Sequence, residues 1–202
     1  DEVGNPLLDS QNKPRFEKRT RSLNRIGLPY QKRIVEIATM FQTAIPYKYT
    51  AEDSPLFAAF QEVIKANKMS FSDSAICTEV KRYTLVAELW YLEEHPNEQY
   101  GVPTQYLLRH KVLSPLKYKL YPRFDDNDNL ISFAIESTTK DNKKTIFQGF
   151  TADEIYTFTT ENGTTTTEIK PNIIGKIPVV LYHQEETEWN AVQHLIEIAE
   201  VQ

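Results

Sequence analysis

The spacing of apolar residues changes along this chain near His95-Pro96, and that change limits the folds open to it. Before it, apolar side chains recur every three to four residues, the period of an amphipathic α-helix. After it they alternate, or run in short β-branched and aromatic bursts bounded by turn residues, the pattern of strands. Helices first and strands afterwards indicate an α+β class rather than a βαβ repeat. The expected architecture is N-terminal helices, then an antiparallel β meander, then a C-terminal helix.

Three helices are expected before the change. In the first, running from about Ser22 to Phe41 with Pro29 near its start, Ile34, Val35, Ile37, Ala38 and Phe41 line one face. Ser54-Pro55 is an N-cap followed by a first-turn Pro, and Leu56, Phe57, Phe60, Val63 and Ile64 carry a second helix to about Asn67. Ser72 or Ser74 caps a third, with Ile76, Val80, Tyr83, Leu85 and Ala87 inside it, changing to strand near Trp90-Tyr91-Leu92. Beyond His95-Pro96, which reads as a turn, the candidate strands are Tyr106–Leu108, Lys117–Tyr121, Leu130–Ile135, Thr145–Phe150, Ile155–Thr160 and Thr165–Ile169. The turns are Asp125–Asn129 and Glu161-Asn162-Gly163, the last a hairpin signal rather than a used glycosylation sequon.

The end of the chain is a separate unit. Gly175 marks a tight bend, Pro178 suits a strand start, and Val179-Val180-Leu181 form a short buried strand. Thr187 caps a helix, with Glu188 in its positive first turn. Trp189, Val192, Leu195, Ile196 and Ala199 recur at helical spacing as one apolar stripe, a candidate subunit-packing surface. No Gly, Asn or Pro closes that helix before Gln202, and the chain begins at Asp1, so both ends are expected to be cuts.

At 202 residues, 40% apolar and 11% aromatic, the chain suffices for one cored domain. Its net charge of −5 is unevenly spread: residues 1–33 hold eight Lys/Arg against four acids. Arg15, Lys18, Arg19, Arg21 and Arg25 are candidate polyanion contacts within that stretch, against the plainer reading of a solvated helix face. Cys77 is the single cysteine, so no disulfide framework exists within the chain, and no apolar run approaches the roughly 20 residues that span a bilayer.

Few residues carry recognisable chemistry. Asp125, Asn127, Asn129 and Glu136 fall at positions 1, 3, 5 and 12 of a calcium loop, but Leu130 stands where that loop needs Gly. Asp125, Asp126, Asp128, Glu136 and Lys140 are the candidates for a magnesium-dependent nuclease. His95, His110, His183 and His194 have no metal-ligand spacing, and Cys77 reads as core. There is no P-loop, serine elbow or dinucleotide glycine pattern. No cofactor or metal is expected.

The order of pieces resembles the N-terminal half of tailed-bacteriophage portal proteins. Asn24-Arg25-Ile26 with Lys32-Arg33-Ile34-Val35 is similar to the family's opening helix, and Ala44–Tyr49 to its short strand. Lys111–Pro115, Tyr121–Asp125 and Leu130–Ile135 are similar to its hairpin, Glu154–Phe158 to its "v-Y-T" strand, and Asn172–His183 to its "G-x-I-P-V-V" segment. The family's Gly at the end of the third helix is missing around Ala87–Trp90, Glu197-Ile198-Ala199 replaces an Asp-aromatic pair, and the arm before Ser22 has no counterpart.

Charge sets off a basic arm over residues 1–21, and the resemblance implies a wing-like α+β domain over 22–202, cut before the stem, clip and crown. It implies a non-enzymatic subunit that rings with copies of itself at a capsid vertex and meets capsid, packaging-motor and tail proteins. Double-stranded DNA would pass through a tunnel region that this chain lacks, and no membrane is involved. The place would be the virion, and the host bacterial cytoplasm during assembly. The alternatives are the nuclease above and a nucleic-acid-binding module using the basic arm.

Overall fold

The computed structural model describes residues 8, 10, 11, 30–139 and 143–191, and the statements below concern these. Helices α1 (Tyr30–Thr43), α2 (Pro55–Ala66) and α3 (Met69–Tyr83) come first. Strands β1 (Leu85–Asn97), β2 (Thr104–Leu113), β3 (Lys119–Phe124) and β4 (Leu130–Thr138) follow. β5 (Lys144–Phe150), β6 (Glu154–Glu161), β7 (Thr164–Pro171) and β8 (Val179–His183) complete the strands, and residues 188–191 are helical. The α+β class and the order of elements match the expectation.

The starts and stops follow local chemistry. Ser54 Oγ accepts the N–H of Phe57 at 3.1 Å and Pro55 fills the first turn, as expected for α2. Thr187 likewise caps the last helix: its Oγ1 accepts the N–H of Asn190 at 3.3 Å and its carbonyl that of Ala191 at 3.1 Å. The expected cap of α3 is corrected. That helix starts at Met69, directly after Lys68 in the left-handed region (φ 52°), so Ser72 and Ser74 lie inside it. Their hydroxyls serve tertiary contacts instead, Ser72 with His110 and Ser74 with Thr43.

The switch from helix to strand comes earlier than the spacing suggests. Thr84 takes φ 65° and donates its N–H to Val80 O at 2.8 Å, which ends α3 in one residue. A left-handed residue is the usual helix stop, and Gly the usual occupant. A threonine there explains why the stop was invisible and why no Gly stands near Ala87. Leu85 and Ala87 therefore begin β1. His95-Pro96 is not a turn either. It falls in the irregular stretch of β1 between the pairs Glu94↔Tyr106 and Asn97↔Thr104, where a residue without an N–H is tolerated.

The strands form two antiparallel sheets rather than one meander. The first has the order β2-β1-β8 and the second β3-β4-β5-β6-β7. The final strand thus returns across the whole second sheet to pair with β1, Leu85↔His183 through Leu89↔Val179. The return corner is built by Asn172, which is buried: its Nδ2 donates to Thr151 O (2.8 Å) and Lys176 O (2.7 Å), and Gly175 sits at φ 68°.

β1 is covered on both faces, which is why Val86, Ala87, Glu88 and Leu89 are all buried. Alternation sends Ala87 and Leu89 one way, into a core with Leu113, Phe133, Ile135 and Phe150 that joins the two sheets. Val86, Glu88 and Trp90 point the other way, toward the helices. At the far edge, β7 is exposed along its length and joined to β6 by Asn162-Gly163 at φ 49° and 80°, the two-residue hairpin expected.

Candidate interaction surface and a buried polar cluster

α1 is apolar on two sides. Val35 and Thr39 are buried against the body, while Ile37, Met40 and Phe41, with Ile45 just past the helix end, are exposed. The expectation that Ile37 and Phe41 share the inner face is corrected: two residues are 200° apart around a helix and six are 600°, so both leave the side held by Val35 and Thr39. Phe41 is 88% exposed and Ile45 78%. With Arg33, Met40 and Ala44 they line an open groove of about 570 Å³. Exposed apolar groups gathered in this way mark interaction surfaces in soluble proteins.

Trp189, the first residue of the predicted packing stripe, is half-buried beside a groove of about 440 Å³ lined by Lys32, Val35, Arg82, Tyr83 and Thr187. Lys81 Nζ meets Glu188 at 3.4 Å there. Val192, Leu195, Ile196 and Ala199 lie outside the described residues, as do Arg15, Lys18, Arg19, Arg21, Arg25 and His194.

The acidic turn is structured by itself. The Asp125 carboxylate accepts the N–H of Asn127 (2.8 Å), the N–H of Asn129 (2.9 Å) and the Asn129 amide (3.0 Å). Those bonds, chiefly from the Asn129 side chain and then the two backbone N–H groups, hold its carboxyl below the usual range. Glu136 lies on β4 at the other end of the hairpin, paired with Lys119 and away from the turn, and is bonded to Lys119 (2.6 Å) and the Tyr121 hydroxyl (3.1 Å). Lys140 lies outside the described residues. Among those described, no three His, Cys, Asp or Glu side chains are gathered to hold a metal ion.

A depressed carboxyl contributes stability that is present above its unfolded value and lost as pH falls through the folded one. The amides of Asn127 and Asn129 should therefore keep their folded NMR positions down to about pH 4, the ordinary Asp range, and lose them only in stronger acid. Loss above that range would show that Asp125 does not organise the turn.

The cluster that sequence reasoning missed is buried between helices and sheet. Glu88 on β1 and His110 on β2 share the helix-facing side, with side chains 3% and 5% exposed and Oε1 to Nδ1 2.9 Å. The two atoms face each other without a hydrogen bond, and neither has another hydrogen-bond partner. Tyr182 on β8 donates to Glu88 Oε2 at 2.9 Å. Ser72 Oγ lies 3.0 Å from His110 Nε2, and the Trp90 ring 5.2 Å from the imidazole. Burial first, then the bond to Glu88, raises the Tyr182 phenol above its ordinary value. Burial, then Glu88, raises Asp73. The residues come from three strands and a helix, so no local spacing announces them.

The remaining candidates are unremarkable in place. His95 and His183 are exposed on strands. Cys77 is buried in α3 with Sγ 3.0 Å from Gln42 Oε1, and burial pushes its thiol up. No described helix is long and apolar enough to cross a membrane.

The described residues form an α+β body of helices and two antiparallel sheets with an outward apolar face on α1, a surface suited to assembly. Residues 9–201 match the family of phage portal proteins described as SPP1 Gp6-like, and the chain belongs to that family. Portal proteins are structural head–tail connectors of the virion. None of the curated proteins matches the chain.

Proposed function

We propose that this chain supplies the wing-like region of a portal subunit, residues 22–202 behind a basic arm. Copies close into a ring at one capsid vertex through heterologous contacts. DNA is packaged and ejected through a channel formed elsewhere in the ring, capsid and tail proteins dock on it, and a separate motor hydrolyses ATP. The family match over nearly the whole chain carries this reading. The outward apolar face of α1 supports it, because a ring buries such faces between neighbours.

The test compares the complete gene product with the 202-residue chain by sedimentation and electron microscopy. Rings with a central channel are expected from the first, and monomers or weak association from the second. Phe41→Asp should lower the ring fraction at least about tenfold while leaving the thermal midpoint unchanged, since the ring is 88% exposed. A complete product that stays monomeric would overturn the reading.

A further inference from the structure

We propose that α2 is a separately releasable helix, held to the sheet by a hydrogen-bonded latch centred on Asn67 rather than by a hydrophobic core. The inference concerns the fold alone and does not rest on the portal reading. α2 carries Leu56, Phe57, Phe60, Val63 and Ile64, yet none is fully buried: Leu56 and Phe60 are exposed, and Phe57, Val63 and Ile64 only half-buried. Leu56 is 81% exposed. The aromatic contacts are local: Phe57 stacks on Phe60 at 6.3 Å, and Phe60 meets Tyr49, in the segment before the helix, edge-on at 5.2 Å.

What fixes the helix is polar and sits at its C-terminal end. Asn67 Nδ2 donates to Leu108 O at 2.9 Å and to Val63 O at 2.9 Å. The backbone N–H of His110 donates to Asn67 Oδ1 at 3.3 Å, and His110 Nε2 lies 3.2 Å from Asn67 O. Ser72 reaches the same ring nitrogen from α3, while Glu88 and Trp90 hold the ring from β1. One side chain therefore ties α2 to β2 and to a firmly seated histidine.

The next residue supplies the hinge. Lys68 has φ 52°, a conformation that costs a side-chain-bearing residue energy and is kept only while its surroundings enforce it. Hydrogen bonds exchange readily with water and contribute little net stability each, so such an attachment opens far more easily than a packed core. Once released, a helix of twelve residues is too short to persist in water by itself. Opening the latch should therefore unwind all of α2 and bare the Asn67 contact surface on β2, while α3 and the sheets stay folded.

Hydrogen exchange of the whole chain at one pH tests this. In the wild type, amides of residues 58–66 should exchange at least about tenfold faster than those of α3 and β1, as a unit. Asn67→Ala should speed them at least another tenfold or so without changing α3, β1 or the second sheet. Ser72→Ala, a milder change that removes one hold on His110, should give a smaller acceleration confined to the same segment, and decides the matter if Asn67→Ala does not fold. Protection of α2 equal to that of α3 in the wild type overturns the proposal. So does acceleration spread over the whole chain, or confined to the last turn, in either variant.

Discussion

Replacing Phe133 by Ala is expected to lower the stability of the chain by about 3–5 kcal/mol, the usual range for a buried phenylalanine. The ring is 1% exposed and lies opposite Phe150 in the β4–β5 register, with centroids 6.4 Å apart. It belongs to the cluster in which Ala87, Leu89 and Leu113 of the small sheet meet Ile135 and Phe150 of the large one. The truncation opens a void in the core that the two sheets share, and neither can close it without moving toward the other. For a domain of this size the thermal midpoint should fall by roughly 10 °C. Phe124→Ala is the control, because that ring is 47% exposed at a strand end and its loss should cost under about 1 kcal/mol. Urea unfolding of both variants checks the pair. Equal effects would mean that the sheets are not held through Phe133.

Glu88→Ala should be as damaging, about 3–5 kcal/mol, for an electrostatic reason. It takes the acceptor from the Tyr182 hydroxyl and removes the carboxylate that lies 2.9 Å from His110 Nδ1, inside a region almost closed to water. Buried polar groups cost little while matched and a great deal when orphaned. Replacing the set together, Glu88→Met with His110→Leu and Tyr182→Phe, should therefore recover part of the loss, with the Ser72 hydroxyl and Asn67 carbonyl that face His110 Nε2 the polar groups left to find other partners. If the triple variant is no more stable than Glu88→Ala, the damage comes from lost packing volume and not from unmatched polarity. Circular-dichroism melts of the wild type and both variants separate these outcomes.

Most of the element order was legible because it rests on local chemistry. Ser54-Pro55, Asn162-Gly163, the Gly175 corner and Thr187 each act within a few residues, and each does what its residue type suggests. The misreadings have physical causes of their own. Thr84 stops α3 in a conformation that sequence habits reserve for Gly, so the strand begins inside an apparently helical run. Ile37 and Phe41 look like core because they are apolar, but α1 buries the side carrying Val35 and Thr39. The division into two sheets depends on β8 choosing β1, and nothing within Val179–His183 states that choice. The polar cluster was out of reach for a similar reason, since Glu88 and His110 meet only once β1 pairs with β2, and Tyr182 joins them only once β8 pairs with β1.

The late return of β8 also bears on how the chain comes to be folded. Pairings between distant parts of a sequence are slow to form, because a long loop must close before any contact rewards it. The hairpins from β3 to β7 can assemble in order as each leaves the ribosome. β1 cannot finish until the strand that completes its sheet has been made, and until then the edge bearing Val86 and Leu89 stands open. A nascent chain halted before Val179 should therefore hold an ordered large sheet beside an unfinished small one, and would be the form most prone to sticking to its neighbours.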